Sequence, residues 1–572
     1  MEIIARVLQG IWEYIRNDQS LVAVISMLIA AVMLIGALVG GLVAIVNAKR
    51  KIPSIPEAKI KEAQEVLDEG EAERAKDLFS QILLYYSDNK LVATRALAGR
   101  AEAYISQNDF DRAVESAKKA IEVNEYNGDA YCILGRAYSL KGEHDKAIDN
   151  FKEALEHGTF RKADSYLYRG IDYYVQKDYD NAIADFTKGL EIKPESINGF
   201  VYRGVAYADK KDYDQTIKDF TQAIRLDHKN AMLYNYRGVI YANKKNYDRA
   251  IKDFTQAIRL GHKNAIIYNN RGVVFTGKKD YDRALADCNQ AIKLNPNLAQ
   301  AYNIRGLAYQ NKNDYNRAIE DYDQAIRLDP DLAQAYNNRG YAYYSKKEHD
   351  RALADYNQAI RLDPNLVQAY NNRGLAYQNK SDYDRALADY DQAIRFDPNL
   401  AQAYNNRGHT YQNKSDYDRA IKDYGQAIKL DPNLAQTYNN RGYAYYSKKE
   451  HDRAIKDYTK AIILDPNLAQ AYNNRGIVYI RKKKLDRALT DFNQAIRLDS
   501  NYADVYNNRG ATYSQKNDYD LAITDFTQSI NINPNYALAY YNRGNVYERK
   551  GDITKANMDR AKAQELGYKQ DK

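Results

Sequence analysis

Cysteine is almost absent from this sequence: its two copies, Cys132 and Cys288, lie far apart and in neither a Cys-x-x-Cys nor a Cys/His spacing. That excludes a disulfide framework and offers no zinc ligand set, so neither metal nor cofactor is expected. Tryptophan occurs once and proline only 10 times in 572 residues, a bias that a string of unrelated domains would not produce. An excess of one charge sign is also missing, because 84 Lys and Arg against 76 Asp and Glu leave a net +8 that is mixed along the chain. Nucleic-acid binders gather basic residues on one face, and here Asp stands beside nearly every one, so nucleic acid is not an expected partner. The G-x-x-x-x-G-K-[ST], G-x-S-x-G and H-E-x-x-H signatures are absent, no catalytic residue is assigned, and an enzyme is not expected.

Long apolar runs are missing too, with one exception. Leu21 to Val46 is a stretch of 26 residues without a charge. As a helix it spans about 39 Å, enough to cross a hydrocarbon core of about 30 Å. Before it, Glu2, Arg6, Glu13, Arg16 and Asp18 nearly cancel, unlike the basic start of a cleaved signal peptide. The expectation is an uncleaved transmembrane helix over 21–46. Arg6 and Arg16 on one side against Lys49, Arg50, Lys51, Lys59 and Lys61 on the other predict a single-pass membrane protein with the rest of the chain cytosolic. The extracytoplasmic orientation is the alternative, since long domains are translocated against such a bias. Gly36 and Gly40 form a GxxxG spacing that would support a homodimer. Ile3, Ile4, Val7, Leu8, Ile11, Trp12 and Ile15 recur at helical spacing, predicting an amphipathic segment over 1–20. Pro53 and Pro56 close a basic linker over 47–56.

What the chain has in excess is tyrosine, 54 copies against 12 Phe, and a period. From Gly170 to Gly544 a glycine recurs every 34 residues, each preceded by Arg. The unit 367–400 reads VQAYNNRGLAYQNKSDYDRALADYDQAIRFDPNL. Tyr370, Gly374 and Tyr377 share one helical face, and Tyr383, Ala386, Leu387, Tyr390, Ala393 and Ile394 share a second. Between them Asn379, Lys380, Ser381 and Asp382 break the pattern and offer an N-cap, while Asp397 and Pro398 end the second helix. Each unit is therefore a helical hairpin. One hairpin cannot bury its apolar face alone, so the units are expected to stack into an elongated solenoid.

This spacing, with an aromatic fourth, Gly eighth, Tyr eleventh, Ala twentieth, aromatic twenty-fourth, Ala twenty-seventh and Pro thirty-second, resembles the tetratricopeptide repeat family. The resemblance implies an all-α fold: a right-handed superhelical solenoid of antiparallel helix pairs, with first helices lining a concave face. It covers fourteen units over 94–572, with one extra residue between the second and third, after a degenerate hairpin over 57–93. Arg560 replaces the usual aromatic of the last unit, and with Lys555, Lys562 and Glu565 it reads as a polar C-terminal cap. In twelve units the seventh place, often apolar in the family, is Arg, from Arg169 to Arg543. Each has Asp sixteen residues later, from Asp185 to Asp559, which predicts an Arg–Asp ladder between first and second helices. If exposed, each pair would be worth about 0–1 kcal/mol and would serve register more than stability.

The resemblance also implies that the second, fifth, sixth, ninth, twelfth and thirteenth places face the groove. Asn269, Asn337, Asn371, Asn405, Asn439, Asn473 and Asn507 hold the fifth place; Asn270, Asn338, Asn372, Asn406, Asn440, Asn474, Asn508 and Asn542 hold the sixth. An amide carries donor and acceptor, so such a row suits a peptide backbone whatever its side chains. The sixth-place row is similar to the asparagine ladder of O-GlcNAc transferase, which implies contact with extended peptides. The basic places by which some members hold chaperone C-termini are missing, since Gln334, Gln368 and Gln402 stand second. Specificity is expected at the ninth place, where Leu375, His409, Tyr443 and Ile477 differ; His409 and Tyr443 join the sixth-place row as candidate site residues. His349 and His451 at the seventeenth place, and His228 and His262 in place of Pro, read as structural. The expected function is a membrane-anchored adaptor that binds proteins or extended peptides in the groove. The alternative is a self-assembling scaffold or spacer with no groove ligand, motivated by the block Ala333–Leu366 recurring 102 residues later as Ala435–Leu468, with the shared string YAYYSKKEHDRA.

Overall fold

A computed structural model describes residues 55–261 and 264–569. Every regular element among them is an α-helix, from Ile55–Asp68 to Ile553–Glu565. The helices alternate as antiparallel pairs and gather into two compact units that divide between Ala308 and Tyr309. Within each unit, successive first helices touch directly, as Lys90–Ser106 does Gly128–Leu140 and Ala333–Ser345 does Val367–Asn379, while second helices pack onto the first helices on either side.

The hairpin Val367–Asn379 and Tyr383–Phe396 shows why this sequence folds so. Its connection turns through Ser381, at φ +58°, and closes with Asp382 N donating to the Tyr377 carbonyl at 2.9 Å. Asp382 then caps the second helix, accepting from the Arg385 backbone N–H at 3.2 Å. At the far end Asp397, extended at φ −131°, precedes Pro398, which disfavours continuing the helix, and its carboxylate accepts from Asn399 N at 3.0 Å.

Packing inside the hairpin depends on the eighth-place glycine. A Cβ at Gly374 would sit 2.8 Å from the Tyr390 ring, so the absence of a side chain lets that ring lie flat against the first helix. Tyr390 is fully buried between Ala386 and Ala393, and its hydroxyl donates to Gln378 Oε1 at 3.2 Å. The same packing recurs at Tyr356, Tyr424 and Tyr458, so the core is a string of small clusters.

The single-pass membrane architecture expected from the sequence needs correction. Among the described residues no helix is long and apolar enough to cross a membrane. They run from 13 to 17 residues, short of the about 20 apolar residues a span requires, and each carries at least one charge. The placement as a membrane protein with a cytosolic array is therefore withdrawn. The segments 1–20 and 21–46, Gly36, Gly40, most of the linker 47–56 and His262 lie outside the described residues.

Candidate functional site

The predicted arginine ladder is present and more buried than its sequence suggested. In every repeat from Arg169–Asp185 to Arg271–Asp287, and from Arg339–Asp355 to Arg543–Asp559, Nε and Nη2 grip the two carboxylate oxygens at 2.6–2.9 Å. These aspartates are buried, Asp389 to 5% exposure, so the small energies of exposed pairs do not apply. Nη1 reaches back to the twenty-fifth place of the preceding second helix: Arg237 to Thr221 at 3.0 Å, Arg373 to Asn357 at 2.7 Å, Arg407 to Asp391 at 2.6 Å. Where that place holds Thr, Asn or Asp, the arginine thus ties three helices together. At Arg441 the place holds Gly425, which offers no side chain to Nη1. Sequence reasoning passed over Arg100, whose Nε donates to Ser116 Oγ at 3.2 Å in the same register. Two open clefts of about 380 and 420 Å³ lie along this ladder, around Arg339 and Arg237.

The asparagine rows meet each other. Asn372, Asn406, Asn474, Asn508 and Asn542 each donate Nδ2 to the fifth-place Oδ1 of the preceding repeat, Asn337, Asn371, Asn439, Asn473 and Asn507, at 2.9–3.1 Å. In the first unit Asn270 does the same to Asn235 at 3.1 Å. Asn338 and Asn440 accept from Gln334 and Gln436, both at 2.9 Å. The Thr437 hydroxyl takes the Asn405 Oδ1 acceptor, at 2.9 Å, that Asn440 would otherwise use in register. The row the sequence offered as a clamp is thus also an inter-repeat ladder, and what stands out on its face is the second-place row Gln368, Gln402, Gln436 and Gln470, all exposed.

His409 and Tyr443 sit on that same face. Gln378 Nε2 donates to His409 Nδ1 at 2.8 Å, Thr410 donates to Gln378 Oε1 at 2.7 Å, and burial holds the imidazole below its usual pKa. Tyr443 is 42% exposed, as is Tyr341 to 39%, at the equivalent place 102 residues earlier. His349 and His451 point a buried Nδ1 that has no hydrogen-bond partner.

Earlier repeats join differently. There the sixth place is Tyr168, Tyr202 or Tyr236, whose rings pack on Phe151, Phe186 and Phe220 at 6.1, 5.9 and 5.9 Å between centroids. Leu167, Ile171, Val205 and Val239 occupy the fifth and ninth places, so this stretch of the face carries more apolar side chains, beside Asp164, Asn198 and Asn235. The sequence carried the signal, an aromatic at the sixth place, but the later repeats were read as representative of all. Nearby, Asp172 is fully buried and accepts from Ser139 Oγ at 2.8 Å beside His144 Nδ1 at 2.7 Å, while burial pushes the Cys132 thiol up to about 12. Among the described residues no group of three or more His, Cys, Asp or Glu could hold a metal ion.

With this geometry in place, comparison with known proteins agrees. Family models described as tetratricopeptide repeat match residues 163–196, 231–264, 265–298, 367–400, 401–434 and 435–468. Further such models match 60–129 and 99–163, and 288–320 and 457–490. A model described as TPR repeat matches 311–347, 340–381, 478–516 and 512–551. The chain is similar to the DnaJ homolog subfamily C member 7 homolog of Schizosaccharomyces pombe, 31% identical over 108 residues, which is 17% of this chain and 23% of that protein. It is also similar to small glutamine-rich tetratricopeptide repeat-containing protein 2 of Mycosarcoma maydis, 32% identical over 111 residues, 19% of this chain and 31% of that protein. The match thus spans less than a third of the length of these relatives. Among solved structures, the APC/C hetero-tetramer Cut9–Hcn1 aligns over 86% of this chain and 96% of that one, with a TM-score of 0.53 at 16% identity, a likeness of fold. The chain belongs to the tetratricopeptide repeat family, whose members mediate protein–protein interaction.

Proposed function

We propose that this chain is an adaptor that holds proteins or extended peptides on the first-helix face of its repeats. Asn270, Asn338, Asn372, Asn406, Asn440, Asn474, Asn508 and Asn542 would serve as the floor, with His409 and Tyr443 as points of selectivity. The observation that carries the reading is the contrast between the helices' two polar systems. The arginines are fully committed to the ladder, whereas the second-place glutamines and Tyr443 stand exposed on one continuous face. Amides so displayed can meet both N–H and C=O of a bound backbone.

The test is affinity capture with the full chain as bait beside a Gln368→Ala, Gln402→Ala, Gln436→Ala, Tyr443→Ala variant, which keeps the asparagine-to-asparagine bonds and removes the Gln402 and Gln436 donors to Asn406 and Asn440. Discrete partners retained by the parent and lost by a variant of equal helicity support the adaptor. Partners that persist move binding elsewhere. Recovery of the chain alone favours the self-assembling scaffold, a reading that the near-identity of Ala333–Leu366 and Ala435–Leu468 supports.

A further inference from the structure

The first helices Ala333–Ser345, Val367–Asn379, Ala401–Asn413, Ala435–Ser447 and Ala469–Arg481 share a property that sets in at Ala231–Asn243. Up to Ile480, their charged residues are Arg339, Arg373, Arg407, Arg441 and Arg475 alone. Each is gripped by both oxygens of a buried aspartate, so none presents net charge. The one imidazole on the face, His409, accepts a hydrogen bond at Nδ1 from Gln378, and burial lowers its pKa. Ala231–Asn243, Ala265–Gly277 and Ala299–Asn311 likewise carry the seventh-place arginine as their one charge, and charge returns beyond, with Glu102, Arg136 and Asp209 before and Arg481, Asp504, Glu548 and Arg549 after. Neutrality thus belongs to the middle first helices.

Within the tract the exposed rings are Tyr341 and Tyr443, in the two tiles that repeat each other almost residue for residue. Tyr341 is backed by Tyr344, with centroids 6.4 Å apart. Between the two tyrosines the ninth place carries Leu375 and His409.

Resting on the adaptor reading, we propose that the face from Gln334 to Ile480 selects uncharged, extended peptide segments and anchors them at two equivalent points, Tyr341 and Tyr443. A charged side chain laid on this face gives up hydration and meets no opposite charge. An uncharged segment loses less, and its backbone groups find the donor and acceptor of Gln368, Gln402 and Gln436. Apolar or aromatic side chains of the segment seat against the tyrosine faces.

The experiment is fluorescence anisotropy of the full chain with three labelled synthetic peptides: one built from Ser, Asn, Leu and Tyr, one with the Ser residues replaced by Asp, and one with them replaced by Lys. The neutral peptide is expected to bind at least about tenfold tighter than either charged one, with an affinity unchanged when added salt shortens the Debye length from about 10 to about 3 Å. Tyr341→Ala with Tyr443→Ala should weaken it about tenfold, whereas Tyr126→Ala, an exposed ring outside the tract, should not. Gln402→Glu with Gln436→Glu keeps the tyrosines and should turn the preference toward the Lys peptide. Equal binding of a charged peptide overturns the inference; if that binding is lost in the glutamine-to-alanine variant, the adaptor reading survives it. Absence of binding by all three peptides also overturns the inference, and leaves the adaptor reading to the capture experiment. Displacement of the neutral peptide by cellohexaose, whose hydroxyls and apolar faces suit the same groups, would make the face a sugar site and overturn it too.

Discussion

At the scale of single residues, the seventh-place arginine decides how repeats lock. Its guanidinium fork meets a carboxylate on its own second helix and, through Nη1, a side chain on the preceding one, which a lysine point charge could not reproduce. Arg441 lacks that third contact because Gly425 stands where the other repeats from Thr187 to Thr527 have Thr, Asn or Asp, and a Cβ there would find open space up to Arg441 Nη1 at 3.8 Å. Gly425→Thr is therefore expected to stabilise the chain by about 1 kcal/mol, from a gained hydrogen bond and improved helix propensity. Urea unfolding would show it, and the gain should shrink in an Arg441→Lys background. The arginine–aspartate pairing was legible in the sequence because both partners lie in one repeat. Its burial and its third contact were not, because they depend on how one repeat sits on the next, a geometry that no single 34-residue period encodes. The asparagine pairing was hidden for the same reason: donor and acceptor lie in different repeats, so one period shows neither bond.

At the scale of the helix, boundaries were readable because they are made by local chemistry: an aspartate cap, a left-handed turn residue, an Asp-Pro stop. The caps Asp382 and Asp416 and the ladder residue Asp389 respond oppositely to acid. The side-chain bond from Arg385 to Asp382, and first the backbone and then the side-chain bond from Arg419 to Asp416, hold these cap carboxyls below the ordinary 3.8. Their contribution is present above 3.8 and lost as pH falls through the depressed folded values. Asp389 runs the other way. Burial raises its carboxyl above 3.8 against the pull of Arg373, so it adds stability below 3.8 that is lost as pH rises through the raised value. In thermal melts from about pH 5 to about pH 2, Asp382→Asn should flatten the acid decline of Tm and Asp389→Asn should steepen it. The membrane expectation had a different weakness. It rested on a segment outside the described residues, and the described helices are too short and too charged to bear it.

At the scale of the whole molecule, stability is a sum over tiles and the junctions between them. Removing 367–400 brings Asn406 to Asn337, the partner type it loses, and Arg407 Nη1 to Asn357, an amide acceptor in place of Asp391, so helicity per residue should be unchanged by circular dichroism and the cost limited to one tile. Removing 231–264 instead brings Asn270 to Val201, which cannot accept its N–H, and should cost about 1–3 kcal/mol more. A comparison of the two deletions by urea unfolding checks this directly.

The change from ring stacking at Tyr168, Tyr202 and Tyr236 to amide pairing, at Asn270 and again between Asn372 and Asn542, has a genetic reading. Unequal exchange between gene copies, cut at the same point of two different tiles, yields a chain that still closes every junction only where both tiles speak the same junction chemistry. Either tract can thus lengthen or shorten in steps of 34 residues within itself, whereas an exchange between the two sets a ring against an amide. The near-duplicate tiles at Ala333–Leu366 and Ala435–Leu468 lie within one such tract, where a copy closes its junctions.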